Sequence, residues 1–384
     1  MDSVLAGIAE QVRAAAATGT ALCIRGGGSK DFYGGPRLGE LLDTRPLNGI
    51  TSYEPSELVI TVRAGTPLAE VEATLAEKGQ CLPFEPPHFG TQSATVGGMV
   101  AAGLSGPARA SVGGVRDYVL GLQLLNGRAE HLTFGGQVMK NVAGYDVSRL
   151  MVGAMGTLGL ITDVSLKVLP VAPAEATLVF ELGQAEALAQ LQRWGAQPLP
   201  LNASCWVRDW TAQVDAKGAG RDLLFVRLRG AIAAVESACQ RMQQQVSATL
   251  MDNATAAPDW RACRDLRLPF FANPPAPDRM LWRLSVAQAA PVLDLPWPQL
   301  IEWHGGLRWL WAPLEAASSI REKATLANGN AAIFIANSSI STGALAKYSP
   351  SEALKPPLDA IHRRLKDEFD PAAIFNRNRL FPQD

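Results

Sequence analysis

The 384-residue chain is short of several things, and each shortage removes a class of protein. No window reaches the roughly eighteen consecutive apolar residues of a membrane helix, so no membrane span is expected. Charged residues make up only 18% and cancel to a formal net charge of −1. With no basic cluster interleaved with aromatics, nothing supports a nucleic-acid surface. The five cysteines (Cys23, Cys81, Cys205, Cys239, Cys263) form no Cys-x-x-Cys pair, and the closest two are 24 residues apart. That excludes a self-contained iron–sulfur or zinc signature and reads as reduced core thiols of a cytoplasmic protein. The four histidines (His88, His131, His304, His362) are scattered. A signal peptide is not expected: Glu10 and Arg13 interrupt the start, where Val4, Leu5, Ile8 and Val12 repeat at helical spacing. Core-forming residues are plentiful at 47%, enough for one large domain or two ordinary ones.

What is present is glycine in two systems, Gly26-Gly27-Gly28-Ser29 after a short apolar run and Thr95-Val96-Gly97-Gly98 about seventy residues later. Without Cβ atoms, successive N–H groups can turn toward one anion, a phosphate above all. Two such segments suggest a ligand larger than one phosphate, and a dinucleotide fits. A Rossmann unit is excluded because Gly34, Gly35 and Pro36 would break the helix that must follow the first glycine run. A Walker loop is excluded because Lys30 lacks the required glycine spacing and a following Ser/Thr.

Four segments occur in fixed order: Ile24-Arg25-Gly26-Gly27-Gly28-Ser29, Thr95-Val96-Gly97-Gly98, Val115-Arg116-Asp117-Tyr118-Val119-Leu120-Gly121 and Gly156-Thr157-Leu158-Gly159-Leu160-Ile161-Thr162. Together they resemble the FAD-binding domain of the vanillyl-alcohol oxidase/p-cresol methylhydroxylase family. Lys140-Asn141-Val142-Ala143-Gly144-Tyr145-Asp146-Val147 and the ending Phe369-Asp370-Pro371-Ala372-Ala373-Ile374-Phe375-Asn376 are similar to the FAD-binding subunits of bacterial glycolate oxidases. The resemblance is dense over residues 20–170, thin over 175–295, and returns near 301–310 and 360–384.

It implies an α+β fold: a two-part FAD-binding domain of the p-cresol methylhydroxylase type (residues 1–172), a smaller antiparallel-sheet-plus-helices cap (173–355), and a C-terminal segment (356–384) packing back on the FAD domain. The residue pattern adds detail. Residues 3–17 read as a helix, 22–24 and 58–62 as strands, and Thr66-Pro67 as cap and first position of a helix closed by Gly79. From Phe84 to Val115 small residues and Pro dominate, an irregular stretch suited to wrapping a flat ligand. Asn126-Gly127 predicts a β-hairpin that joins strands 118–125 and 129–134. Residues 146–151 read as a short helix and 160–168 as a strand. Beyond the break at Pro170–Pro173, strand-plus-helix passages fall near 176–194 and 223–246, with strands near 281–286, 307–311 and 331–336.

By the same resemblance the expected FAD contacts are Arg25, Gly26, Gly27, Gly28, Ser29, Thr95, Val96, Gly97, Gly98, Ala101, Gly103, Ser105, Gly144, Tyr145 and Ile161, with Ala102 and Gly106 beside the ring. Some relatives attach their flavin to a histidine next to the first glycine run or a cysteine before the second. Those positions are Ser29 and the neighbourhood of Thr91 here, so the FAD is expected to be non-covalent, with His88 an ordinary loop residue. No metal is expected, because the Gly-Asp-Gly-Asn-x-His segment of catalytic relatives is missing. The catalytic residues stay unknown. Arg264 and Arg308 could hold a carboxylate and His304 could take a proton, but a paired arginine and a turn histidine are the ordinary alternatives. Glu302 and His304 alternate as residues of one strand face would.

Three functions remain open. In the first, the chain is the FAD-binding subunit of a glycolate oxidase complex, partnered by a catalytic FAD subunit and an iron–sulfur subunit that pass electrons to membrane quinone, with any membrane association made through those partners. In the second, it is an independent FAD-dependent 2-hydroxy-acid or alcohol dehydrogenase. In the third, it is a non-redox scaffold.

Overall fold

Asp2 starts the first helix by accepting the Leu5 amide, and Gly19 ends it in the left-handed region at φ 69°. In this computed structural model, which describes residues 2–90, 93–136, 146–209, 220–336, 354 and 356–380, α1 (Ser3–Thr18) buries Leu5, Ile8, Ala9, Val12 and Ala15 at helical spacing. β1 (Leu22–Arg25) pairs in parallel with β2 (Glu40–Asp43). Next come β3 (Ile50–Glu54), β4 (Val59–Arg63), α2 (Leu68–Ala76), β5 (Gln80–Cys81) and α3 (Val96–Ala102). α4 (Arg109–Val112), α5 (Val115–Tyr118), β6 (Val119–Leu125), β7 (His131–Gly135), α6 (Val147–Leu150), β8 (Leu160–Lys167) and β9 (Leu169–Pro170) follow. Among the described residues, five strands make an antiparallel sheet in the order β3-β4-β8-β6-β7. Val62 and Val164 of the sheet share one core with Leu68 and Val71 of α2 and Val96, Met99 and Val100 of α3.

Three local expectations are corrected. Thr66 does not cap α2; its buried hydroxyl exchanges hydrogen bonds with the backbone of Gly49 (2.9 and 3.2 Å), and Pro67 occupies the cap position without a side-chain bond. Satisfying a buried turn outweighs capping a helix there. The second strand of the hairpin starts at His131 and not at Ala129, because the Asn126 side chain accepts the amides of Arg128 and Glu130 and Ala129 turns left-handed at φ 57°. The small-residue stretch is not irregular throughout. Thr95 caps α3, and the glycines fall inside its first turn.

The second unit contains β10 (Ala174–Glu181), α7 (Gln184–Gly195), β11 (Leu201–Asp209), β12 (Arg221–Gly230), α8 (Ile232–Gln245), β13 (Thr249–Met251), α9 (Asn253–Arg264) and α10 (Pro269–Ala272). β14 (Met280–Ser285), β15 (Gln299–Glu302), β16 (Leu307–Ala312), α11 (Ala317–Leu326) and β17 (Asn330–Ile335) follow. Among the described residues, eight strands form an antiparallel sheet in the order β13-β10-β12-β11-β15-β16-β14-β17. α7 and α8 cover one face through Leu178, Phe180, Trp194, Leu224, Val226 and Met242. Residues Ser105–Gly113, including α4, cluster with this unit, whereas the residues up to Leu104, Gly114–Val171 and the C-terminal segment form the first.

The last helix, α12 (Leu358–Phe369), packs Leu365 and Phe369 on the first unit's core. After it the chain is stitched to β1: Leu22 donates to Ile374 O, Ile24 donates to the Asn376 side chain at 2.7 Å, and that side chain donates to Met155 O at 2.6 Å.

Candidate functional site

β1 ends at Arg25, whose carbonyl accepts the Thr44 amide, and the chain then turns through Gly26–Gly28. A Cβ on Gly26 would strike the Thr95 hydroxyl, and one on Gly27 would overlap the Ser93 carbonyl. From the other side, a Cβ on Gly97 would come within 2.6 Å of the Ala64 Cβ. The first glycine loop therefore lies against the Ser93–Thr95 segment that leads into the second, and glycine is what allows it.

They differ in what they offer. Among the described residues, the amides of Gly26, Gly27, Gly28 and Ser29 have no protein acceptor. In α3 the first amides are already used: Val96 on Thr66 O (3.0 Å), Gly97 on Ala64 O (2.7 Å) and Gly98 on Thr95 Oγ1 (3.3 Å). The first loop supplies anion-binding donors; the second supplies close approach and a helix N-terminus.

A cleft open to solvent runs along both loops. Among the described residues, Arg25, Lys30, Arg37 and Arg379 line it against one carboxylate, Asp31, a balance that suits a diphosphate. Arg25 Nε and Arg37 both reach Asp31 Oδ2, at 2.9 and 2.8 Å, and the bond to Asp31 holds the Arg25 guanidinium above its ordinary pKa. Farther along, the walls are small or flexible: Ala64, Ala101, Ala102, Ala154, Met151 and Met155.

Of the residues expected to touch the cofactor, Arg25, Gly26, Gly27, Gly28, Ser29, Thr95, Gly97, Gly98, Ala101 and Ile161 line this cleft. Val96 is fully buried beneath it, and Gly103 ends α3 at φ 63° against the Gly153 backbone. Ser105 and Gly106 fall in the segment that clusters with the second unit. Gly144 and Tyr145 lie outside the described residues. Sequence reasoning missed Asn376 and Arg379, which reach the cleft from the far end of the chain, although Asn376 closes the C-terminal segment quoted above. His88 is bonded to Glu72 of α2 at 2.8 Å.

Thr95 joins the two systems, so Thr95→Ala should cost about 1 kcal/mol of helix stability. It should also weaken cofactor retention, as checked by thermal melting and by the flavin absorbance left after dialysis.

A family model described as the FAD binding domain matches residues 5–147. The glycolate oxidase subunit GlcE of Escherichia coli K12 is 42% identical over 374 residues, covering 97% of this chain and 96% of that one. The chain belongs to the GlcE family of glycolate oxidase subunits. The glycolate oxidase subunit GlcD of Bacillus subtilis is 31% identical over 173 residues, 45% of this chain and 35% of its own. Among solved structures, 4-ethylphenol oxidase from Gulosibacter chungangensis superposes with a TM-score of 0.68 at 14% identity, over 99% of this chain and 88% of that one. The alkyldihydroxyacetonephosphate synthase superposes at 0.65 and 16%, over 98% and 74%. These structures share the fold of an FAD-binding oxidoreductase, α+β and of the p-cresol methylhydroxylase type.

The weak catalytic candidates of this GlcE-family chain all sit in the second unit. Arg264 forms a two-bond pair with Asp265 (2.8 and 3.0 Å). Arg308 is fully buried and donates to the carbonyls of Gly305, Ala290 and Pro291; burial lowers its pKa to about 10. Its donors brace a turn. The shared strand face for Glu302 and His304 is corrected, because Trp303 and His304 are both left-handed at φ 53° and 54° and break the alternation. His304 is instead held by Ser204 (3.0 Å) and Ser111 (2.9 Å). Among the described residues no group of three or more His, Cys, Asp or Glu could hold a metal ion.

Burial lowers the His304 pKa from 6.5 to about 4. Between those values the unfolded chain binds a proton that the folded chain does not. Stability is therefore complete above pH 6.5 and falls as the pH drops toward 4, by up to about 3 kcal/mol. Denaturant midpoints measured across that window should flatten in His304→Asn, since Asn tolerates a left-handed backbone.

Proposed function

We propose that the chain is the FAD-carrying subunit of a glycolate oxidase complex, one that oxidises glycolate to glyoxylate and passes electrons to an iron–sulfur partner and then to quinone. The observation that carries the reading is the cleft where Gly26–Gly28 meet Thr95–Gly98, with unused amides on one side and four cations in its walls. FAD fits this donor set: Gly26, Gly27, Gly28 and Ser29 would hold the diphosphate, and the small residues of α3 would admit a flat ring system. When bound, FAD supplies acceptance of a hydride equivalent from a carbon bearing a hydroxyl group. This chain's residues bind and orient the group, and the bond between Asn376 and Ile24 fixes the strand that presents the loop. The substrate and partners come from the names of the relatives, GlcE and GlcD. A cytoplasmic location follows from the same reading; among the described residues no helix is long and apolar enough to cross a membrane.

No described residue stands where a covalent flavin link would be made: Ser29 occupies one position and His88 is committed to Glu72. The flavin is accordingly held non-covalently, and acid or denaturant should release all of it. The deciding experiment gives glycolate and a dye acceptor to the isolated chain and to the complex reconstituted with a GlcD-type and an iron–sulfur subunit. Turnover by the complex alone is expected; turnover by the isolated chain would favour an independent dehydrogenase.

A further inference from the structure

The second unit treats the two faces of its sheet differently. α7 and α8 pack directly on one face. On the other, α9 and α10 lie over Thr177, Cys205, Val207, Phe225, Leu300 and Trp311, which alternate along their strands with residues packed against α7 and α8 or, beside Trp311, against α11. Three hydrogen bonds act as struts. Trp260 Nε1 of α9 donates to Thr177 Oγ1 at 2.9 Å, Cys263 Sγ donates to Glu302 Oε1 at 3.2 Å, and Trp311 Nε1 of β16 donates to the Phe270 carbonyl of α10 at 2.8 Å. Between them lies a cavity of about 610 Å³, open to solvent, which among the described residues shares no lining residue with the dinucleotide cleft.

We propose that this cavity binds an uncharged compound built on a planar aromatic ring. Both walls present flat apolar surfaces: Phe225 and Trp311 on the sheet, Trp260 and Phe270 on the helices. Rings favour offset or edge contacts with such walls, and a concave, largely apolar lining that carries aromatic side chains and some polar groups is the usual form of a small-molecule site. Charge selects against anions. Among the described residues the lining has one guanidinium, Arg208, already paired with Asp222 at 2.6 and 3.0 Å, and Asp259 adds a carboxylate. A two-carbon hydroxy acid is the wrong ligand here on both size and sign. The struts hold the walls apart in advance, which lowers the ordering cost of binding.

The test titrates full-length, flavin-loaded protein with N-phenyl-1-naphthylamine, a neutral fluorescent probe. Saturable binding of one probe per chain is expected, with quenching of tryptophan emission by energy transfer from Trp260 and Trp311. The anionic 1-anilinonaphthalene-8-sulfonate should bind about tenfold more weakly or worse. Filling the cavity from the helix side with Ala256→Trp, or from the sheet side with Val207→Phe, should weaken probe binding by about tenfold or more while flavin content stays unchanged. If one variant fails to fold, the other carries the test from the opposite wall. Non-saturable binding to the wild-type protein, or a folded filled variant that binds as wild type does, overturns the proposal.

Discussion

Gly27→Val should yield a folded chain without yellow colour. The position has no room for a side chain, because even a Cβ would overlap the Ser93 carbonyl, a backbone atom that cannot rotate away. Relieving that overlap must move one loop off the other. Overpacking of this kind costs about 1–3 kcal/mol, and the displaced loop carries the four amides assigned to the diphosphate. Losing even two aligned charge-assisted hydrogen bonds is worth about 3 kcal/mol or more, so FAD affinity should fall by about a hundredfold or more. Equilibrium dialysis against FAD, with circular dichroism as the folding control, measures both parts. Full flavin occupancy in Gly27→Val would contradict the assignment of this loop. Gly49→Ala, where a Cβ would meet nothing within 4 Å but φ is 120°, serves as a comparison in which backbone strain acts without a clash in the cleft.

Asp370→Ala should have the largest effect on stability. Asp370 is 1% exposed and accepts the amides of Ile374 and Phe375 together with the Lys366 ammonium at 2.6 Å. Lys366 is also sunk into the fold, donating to Thr157 O and Phe375 O, and burial holds its pKa below the ordinary lysine value despite the nearby carboxylate. Removing the carboxylate leaves a buried ammonium and two buried amides without their acceptor, a loss of about 3–5 kcal/mol. The damage should reach the cleft, because the same turn sets up Ile374–Asn376, which bind Leu22 and Ile24 of the strand that leads into Gly26. Denaturant unfolding and FAD retention should therefore fall together. Asp370→Ala combined with Lys366→Met removes the stranded charge and should recover part of the loss. No recovery would mean that the orphaned amides, rather than the ammonium, dominate.

Much of the site was legible in the linear order of residues. Gly26–Gly28 and Gly97–Gly98 announce backbone that must be approached closely, and no other residue type supplies that property. The missing cysteine pairs and balanced charge removed iron–sulfur, zinc and nucleic-acid alternatives before any coordinates. α1 and the strand-plus-helix passages of the second unit followed from apolar spacing, because one buried face imposes its period on the sequence. β15 did not, since a four-residue strand buried at every position has no period to detect. α9 was hidden as well, with Pro258 inside it and most of its surface polar.

Tertiary structure alone decided which atoms do the work. The glycine motifs look alike as strings, yet the amides at the start of α3 are used by Ala64, Thr66 and Thr95, while those of the first loop are not used by the described residues. That distinction depends on what packs opposite each amide, and the packing partners lie tens of residues away. Asn376 and Arg379 joined the cleft for the same reason: a chain end hundreds of residues off was brought beside β1 by hydrogen bonds to its backbone. Residue type and order set the local conformational options, and long-range burial of polar groups selected among them.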